Sequence, residues 1–182
     1  MMTTLERADA FCSRFGLTMP ILQASMAGAC PPGLAAAVAN AGGMGGMGAL
    51  LTPPAGIAEW ATEFRAQSNG AFQVNLWIPD PAPVRDPALE ARQRTFLETW
   101  GPTVPAVAGD ATPPDFTAQC PALLEVWPRV VSSIMGLYPP AFVASLKDRG
   151  IAWFSCGTTL SEALAAEAAG ADAVVAQGAE AG

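Results

Sequence analysis

Short apolar runs alternate with stretches of helical periodicity along almost the whole chain. Six runs have the length and composition of buried strands, at residues 21–24, 44–50, 72–77, 129–135, 151–155 and 173–176. The residues between them place apolar side chains three and four positions apart, as one face of a helix does. This alternation predicts successive βα units around a parallel sheet.

Capping residues mark the start of several predicted helices. Thr52 can cap a helix whose first position is Pro53 and whose apolar face contains Ile57, Trp60 and Phe64. Asp86 opens a second helix, and its predicted inward face consists of Leu89, Gln93, Phe96, Leu97 and Trp100. The next segment, residues 101–115, is rich in Pro and Gly and is predicted to be a connecting loop.

Two helices in the last third of the chain carry equally local signals. A proline pair, Pro139-Pro140, opens a helix that turns Phe142, Val143 and Leu146 inward. Thr159 and Glu162 have the spacing of a capping box, which predicts a helix over residues 160–169.

Six βα-type strands in sequence favour an α/β fold of the TIM (β/α)8 barrel type, with a doubly wound open sheet as the alternative. A closed barrel of this type takes about 250 residues, whereas the chain has 182. We therefore expect one domain over residues 1–182, an incomplete barrel of about six βα units truncated at its carboxyl end. Its exposed strand edges and apolar interior would favour self-association of the isolated chain.

Composition narrows the classes of function. The chain is 51% hydrophobic with a net charge of −7, which argues against binding to nucleic acid or to an anionic membrane. The uncharged stretch from residue 16 to residue 58 is broken by prolines and glycines and does not predict a membrane span. The four cysteines form no metal-binding pattern, and we interpret them as reduced thiols of a cytoplasmic protein.

Candidate binding residues follow the predicted strands, where barrel enzymes carry their sites. Ala24, Ser25 and Met26 lie at the end of the first strand, while Asn75 and Gln177 supply amides near the ends of the third and sixth. Amides donate and accept hydrogen bonds, and an uncharged pocket lined by them suits the edge of a flavin ring. Taken singly, these signals are weak, and a glycine-rich strand end or a lone Asn in a strand is more often structural. Without histidine the chain can form no Ser/His/Asp or Cys/His constellation.

Four segments together resemble a known family. They are residues 20–28 (PILQASMAG), 34–48 (LAAAVANAGGMGGMG), 74–76 (VNL) and 162–182 (EALAAEAAGADAVVAQGAEAG). In these segments the chain is similar to nitronate monooxygenases, formerly called 2-nitropropane dioxygenases. The resemblance covers residues 17–182 and implies the first six strands of that family's barrel.

The resemblance implies an FMN-dependent oxidoreductase. Ala24, Ser25 and Met26 would flank the isoalloxazine, Asn75 and Gln177 would hydrogen-bond it, and Gly182 would begin a loop around it. The partners would be an alkyl nitronate and O2, and the products a carbonyl compound and nitrite. Whether the protein forms a homo-oligomer is left open.

The chain departs from the family pattern at several places. The family histidine that serves as base follows the position of Gly182, so no catalytic residue is assigned here. Ile134 stands where many members have a histidine, and Ser25 where a proline is usual. The loops that hold the FMN phosphate follow strands seven and eight of the family's barrel.

Two other functions are left open by these observations. One is a related FMN enoyl-acyl-carrier-protein reductase or NAD(P)H:quinone reductase, which would take hydride from a nicotinamide cofactor. The other is an inactive, truncated remnant of the barrel.

Overall fold

The computed structural model describes residues 2–81 and 83–179. Its seven α-helices are α1 Thr4–Phe15, α2 Pro32–Asn40, α3 Pro54–Gln67, α4 Pro87–Leu97, α5 Phe116–Val126, α6 Pro140–Asp148 and α7 Leu160–Ala168. Its five strands are β1 Gly45–Gly48, β2 Phe72–Trp77, β3 Val130–Ile134, β4 Ala152–Gly157 and β5 Ala173–Ala176. A short 3₁₀ helix spans Ala106–Asp110.

The chain forms two compact units. The smaller spans Asp80–Pro113 and contains α4 and the 3₁₀ helix, while the larger contains the chain before and after it. The Arg85 side chain organises the smaller unit by binding the carboxylates of Glu90 and Asp110 and the carbonyl of Gly109. All five strands belong to the larger unit.

The five strands form one parallel sheet in the order β1-β2-β3-β4-β5. Strand order follows chain order without reversal, as in the wall of a barrel, whereas a doubly wound sheet reverses direction at a switch point. The sequence-based choice of a barrel-type parallel sheet over an open doubly wound one is therefore confirmed.

The prediction of a first strand over residues 21–24 was wrong, because this segment does not form a regular strand. Within the described residues this segment contributes only two isolated parallel bridges, Leu22 to Met44 and Ala27 to Gly48. Four residues separate the bridges on the side of the segment and three on the side of β1, so the two chains are out of step, and between the bridges the segment lies close to the glycines of β1 without forming a regular ladder.

Alternation along the strands gives the sheet two faces. On the outer face, the strands pack against α2, α3, α5 and α6 in a core that contains Val74, Leu76, Val131 and Trp153. On the inner face, the amino-terminal half of the sheet carries Val130, Ala152 and Phe154, which pack with Phe15 of α1. Helix α1 thus packs on the amino-terminal end of the inner face and not on its carboxyl-terminal end.

Two helices were not predicted. Helix α1 begins with a complete capping box between Thr3 and Glu6 and ends at Gly16, whose φ is +72°. Helix α5 is capped by the Asp115 side chain, which accepts from the backbone N–H of Thr117. Both capping signals are present in the sequence, but α1 is polar on most of its surface and α5 carries Pro121 inside it, which disguised their periodicity.

Two details of the predicted helices were wrong. The capping residue of α3 is Pro53 and not Thr52, and no side chain caps the helix. Pro54 explains this, because a proline disfavours the helical conformation of the residue before it and shifts the start by one position. Helix α4 is capped by the Asp86 side chain, in line with the prediction that Asp86 opens it, but none of its residues is buried, so its predicted inward face does not form a core in the described chain.

Candidate functional site

A cavity of about 520 Å³ opens at the carboxyl ends of β3, β4 and β5. Three loops wall it, and α7 contributes two further side chains. The lining residues are Ile134, Met135, Gly136 and Leu137 at and after the end of β3, Ser155, Cys156, Gly157 and Thr158 around the end of β4, Glu162 and Ala165 of α7, and Gln177, Gly178 and Ala179 after β5. This is the edge at which parallel α/β folds bind ligands.

The loop after β3 has an unusual backbone. Met135 has φ +67° and Gly136 has φ +150°, and a non-glycine residue in the left-handed region costs of the order of 1 kcal/mol. The strain is sustained by the neighbouring chain, since the Ile78 N–H donates to the Ile134 carbonyl at 3.0 Å. The Tyr138 hydroxyl also donates to the Ser132 carbonyl at 3.1 Å, which fixes the far end of the loop.

The loop after β4 is held by the predicted capping box, which is confirmed. The Thr159 hydroxyl accepts from the Glu162 N–H, and the Glu162 carboxylate accepts from the Thr158 N–H at 2.7 Å and the Thr159 N–H at 3.1 Å. These bonds, the one from the Thr158 N–H first, hold the pKa of Glu162 below its ordinary value. Among the described residues that line the cavity, Glu162 is the one acidic side chain, and it is committed to ordering the loop.

Gln177 lies on the wall of this cavity, directly after β5. Its backbone N–H donates to the Gly157 carbonyl at 3.0 Å and continues the β4–β5 ladder by one residue. Its side-chain oxygen Oε1 accepts from the Cys156 thiol at 2.9 Å. Burial, followed by the nearby charge of Glu162, raises the pKa of the Cys156 thiol.

Asn75 lies on the inner face of β2, where it is half-buried. Its Nδ2 donates to the Ser132 hydroxyl of the adjacent strand at 3.0 Å, and its register partner on the other side is Gly48. Because Gly48 has no side chain, the backbone of Met26 and Ala27 can lie directly against the sheet on that side of Asn75.

The segment Ala24–Met26 lies beside β1. Cys30 orders it from the following turn, since its thiol donates to the Ala24 carbonyl at 3.2 Å and accepts from the Met26 N–H at 3.3 Å. Ala24 and Met26 are exposed. The Ser25 hydroxyl oxygen is buried and has no hydrogen-bond partner in the described chain.

Glycines in β1 let this segment approach the sheet. A Cβ at Gly46 would lie 2.7 Å from the Gln23 carbonyl oxygen and 3.0 Å from the Ser25 hydroxyl, and one at Gly48 would lie 2.5 Å from the Ala27 nitrogen. The glycine-rich run of β1 is thus required by the close approach of backbone to backbone.

Sequence reasoning missed the part played by Gln23. Its Oε1 accepts from the Gly46 N–H at 3.1 Å, and its carbonyl accepts from the Gln73 side chain at 2.9 Å, while its Nε2 is buried without a partner in the described residues. Gln73 lies two positions before Asn75 and hence on the same face. The amides of Gln73 and Asn75, two positions apart, were the sequence signal that could have indicated the Gln23–Gln73 pair.

The predicted site residues fall into two groups. Ala24, Ser25 and Met26 adjoin β1, and Asn75 lies on β2, the strand on the other side of β1. Gln177 follows β5, separated from β2 by β3 and β4, and Gly182 lies outside the described residues.

Neither a metal site nor a membrane helix is found in residues 2–81 and 83–179. No three His, Cys, Asp or Glu side chains are grouped closely enough to hold a metal ion. No helix in these ranges is both long and apolar enough to cross a bilayer.

Comparison with known proteins identifies the family. The family model described as nitronate monooxygenase matches residues 10–182. A nitronate monooxygenase of Paraburkholderia phytofirmans is 39% identical over all of this chain, and one of Pseudomonas aeruginosa is 38% identical over 96% of it. The chain spans about half the length of these relatives, 51% in both cases.

Solved structures agree with the sequence comparison. Nitroalkane oxidase from Streptomyces ansochromogenes superimposes with a TM-score of 0.78 at 34% identity, covering 90% of this chain and 47% of that one. FabK from Thermotoga maritima superimposes with a TM-score of 0.67 at 27% identity, covering 94% and 44%. The parallel sheet is part of a TIM-type barrel, as predicted, and the chain belongs to the nitronate monooxygenase family.

Proposed function

We propose that this chain supplies the flavin-binding half of an FMN-dependent oxidoreductase that converts alkyl nitronates and O2 to carbonyl compounds and nitrite. The observation that carries the proposal is an uncharged, amide-bearing inner face at the carboxyl edge of the sheet, in a chain that the nitronate monooxygenase family model matches over residues 10–182. At this edge, Asn75 lies on β2 beside the glycine-rich β1, and Gln177 lies on the wall of the 520 Å³ cavity.

The chemistry of these residues fits a flavin. An isoalloxazine edge carries carbonyl oxygens and ring nitrogens, which amide side chains complement without charge. The exposed Ala24 and Met26 offer small and flexible side chains on a segment that the glycines of β1 allow to lie directly against the sheet. The unpartnered hydroxyl of Ser25 adds a polar group whose hydrogen-bonding capacity the described protein does not use.

In this proposal the residues divide the tasks of binding and orientation. Asn75 and Gln177 hydrogen-bond the ring edge, Ala24, Ser25 and Met26 flank the ring, and Gly182 begins the loop around it. Bound FMN supplies the electron transfer from nitronate and the later transfer to O2. The proposed substrate is the anionic nitronate, which needs no base for deprotonation.

A second candidate function is the reductase activity already named, with a nicotinamide cofactor as hydride donor. The likeness to FabK favours it. Rapid bleaching of the flavin absorbance by NADH or NADPH under anaerobic conditions would support this candidate, whereas bleaching by an alkyl nitronate would support the first.

The remaining sequence-based predictions stay predictions. They are a single FMN-binding domain, a cytoplasmic location and self-association. The alternative that the chain is an inactive remnant is tested by the same experiment as flavin binding.

The test is the visible absorption spectrum of the purified protein before and after addition of FMN and desalting. We expect retained, protein-shifted flavin bands, and a protein that is colourless after desalting would contradict the proposal and support the inactive remnant. Asn75→Ala should weaken FMN affinity by about 2- to 10-fold, the equivalent of one neutral hydrogen bond. Gln93→Ala is the matched control, because Gln93 is an exposed amide on α4 in the smaller unit.

A further inference from the structure

A second cavity, of about 170 Å³, lies at the amino-terminal edge of the sheet, at the other end of the strands from the 520 Å³ cavity. Its walls include Arg129 just before β3, Ala152 at the start of β4 and Asp172 just before β5. Helices α1 and α6 contribute Arg14 and Lys147 from their last turns. The cavity thus gathers three cationic side chains in a chain whose net charge is −7.

Asp172 does not neutralise this group of cations. It is the one acidic side chain among the described residues that line the cavity, and both of its oxygens are already occupied. Oδ1 accepts from Arg14 at 2.7 Å, while Oδ2 accepts from Lys147 at 2.6 Å and from the Trp153 N–H at 2.9 Å. One carboxylate beside three cations leaves the cavity with a net charge of about +2.

Arg129 is the cation that the fold does not account for. Its backbone is fixed in the sheet, because its N–H donates to the Phe72 carbonyl at 3.0 Å and its carbonyl accepts from the Ala152 N–H at 3.2 Å. Its exposed side chain has no hydrogen-bond or ion-pair partner in residues 2–81 and 83–179. Arg14 and Lys147, in contrast, lie at helix carboxyl ends, where a cation is favoured by the helix dipole.

Arg129 also lines an adjoining cavity of about 370 Å³. Arg65 and Arg149 line this cavity too, but their guanidinium groups donate to backbone carbonyls of α5. Trp127 lies on the same wall and is 67% exposed. The adjoining cavity therefore adds an aromatic surface beside the unpaired guanidinium group.

We propose that the 170 Å³ cavity binds a phosphate group, which accepts from Arg129 and from N–H groups of Arg14 and Lys147 that Asp172 does not use. A guanidinium group presents paired N–H donors that match the oxygens of a phosphate. A phosphate monoester carries a charge of about −1.5 to −2 at pH 7, which balances the excess positive charge of the cavity. The ligand is either free inorganic phosphate or a phosphate ester whose organic part lies against Trp127.

The experiment is calorimetric titration of the FMN-free protein with sodium phosphate at neutral pH, with sodium chloride of equal ionic strength as the reference. We expect saturable binding, and Arg129→Gln should weaken it by about 10-fold or more through loss of a charge-assisted hydrogen bond. Because the Arg129 side chain makes no polar contact in the described chain, this variant should unfold in urea like the unmodified protein. Arg92→Gln is the matched control, since it removes the same charge from an exposed arginine of α4.

Titration with adenosine monophosphate distinguishes the two sources of the phosphate group. Tighter binding than that of inorganic phosphate would indicate an ester, and Trp127→Ala should then remove the advantage, whereas equal or weaker binding would indicate free phosphate. A loss of affinity in Arg129→Gln no larger than that in Arg92→Gln would overturn the site, and so would phosphate heats no larger than those of chloride. None of these outcomes bears on the proposed flavin site, which lies at the other end of the strands and is tested by FMN binding.

Discussion

Gly48→Ala tests whether the close approach of two backbones shapes the candidate site. The added Cβ would lie 2.5 Å from the Ala27 nitrogen, 2.8 Å from the Met26 carbonyl carbon and 2.9 Å from the Ala27 Cα. All three are backbone atoms, so no side chain can rotate away. Restoring an ordinary contact of 3.4 Å requires the two segments to separate by about 0.9 Å, a displacement that also breaks the bridge between Ala27 and Gly48.

The magnitude follows from this geometry. Overpacking of a well-packed region costs about 1–3 kcal/mol, and loss of the bridge hydrogen bonding adds about 1 kcal/mol. We expect Gly48→Ala to lower the free energy of unfolding by about 2–4 kcal/mol. Because the displaced backbone includes Met26, FMN affinity should fall by more than the 2- to 10-fold expected for loss of a single hydrogen bond.

Urea unfolding followed by circular dichroism, together with FMN titration, measures both effects. The matched control is Gly33→Ala, a glycine in α2 whose added Cβ would meet only the Gln67 side chain at 3.4 Å, and which should be neutral or stabilising. If Gly48→Ala unfolds and binds FMN like the unmodified protein, the close approach does not constrain the site and the reasoning is wrong.

Two further substitutions test interactions elsewhere in the larger unit. Burial alone would raise the pKa of Asp172, but hydrogen bonds from Lys147 at 2.6 Å, the Trp153 N–H at 2.9 Å and Arg14 at 2.7 Å outweigh it and lower that pKa. The stabilisation by these bonds is therefore present above pH ~4 and is lost as pH falls through the lowered pKa. Asp172→Asn should lower the free energy of unfolding by about 1–2 kcal/mol at pH 7. Urea unfolding at acid pH checks this, because a stability difference from the unmodified protein that does not shrink there would contradict the reasoning. Thr159→Ala removes the cap of α7 and should lower the free energy of unfolding by about 0.5–2 kcal/mol, while Thr159→Ser should not; equal stability of the two variants would show that the cap contributes nothing.

Strands β2 to β5 could be predicted from sequence because their signal is local. Apolar runs such as Phe72–Trp77 and Ala173–Ala176 are short and each follows a helix in the chain, which is the pattern of strands in a parallel sheet. The run at residues 21–24 has the same composition, yet it forms two isolated bridges because its path depends on the glycines of β1. Composition alone does not distinguish a strand from a segment held against one by close approach.

Candidate site residues divide in the same way. Asn75 and Gln177 could be selected because an amide near a strand end is visible in one segment. Their partners could not, since the Cys156–Gln177 bond joins residues 21 positions apart and the Gln73–Gln23 bond joins residues 50 positions apart. Such pairings depend on strand order and register, and the sequence predicted the order of the strands but not their register.

The two ends of the inner face have different physical tasks, and this explains why its polar residues lie where they do. Near the amino-terminal end, Val130 and Phe154 pack with α1 in an apolar cluster that stabilises the sheet. Towards the carboxyl end, Asn75 and Ser132 satisfy one another across adjacent strands, and Cys156 and Gln177 do the same. A buried polar group left unpaired costs about 1–3 kcal/mol, so these side chains can remain at the edge only when hydrogen-bonded. Each pair therefore keeps an amide in place at low cost before a ligand binds, which makes the orientation of the amides a property of the ligand-free protein.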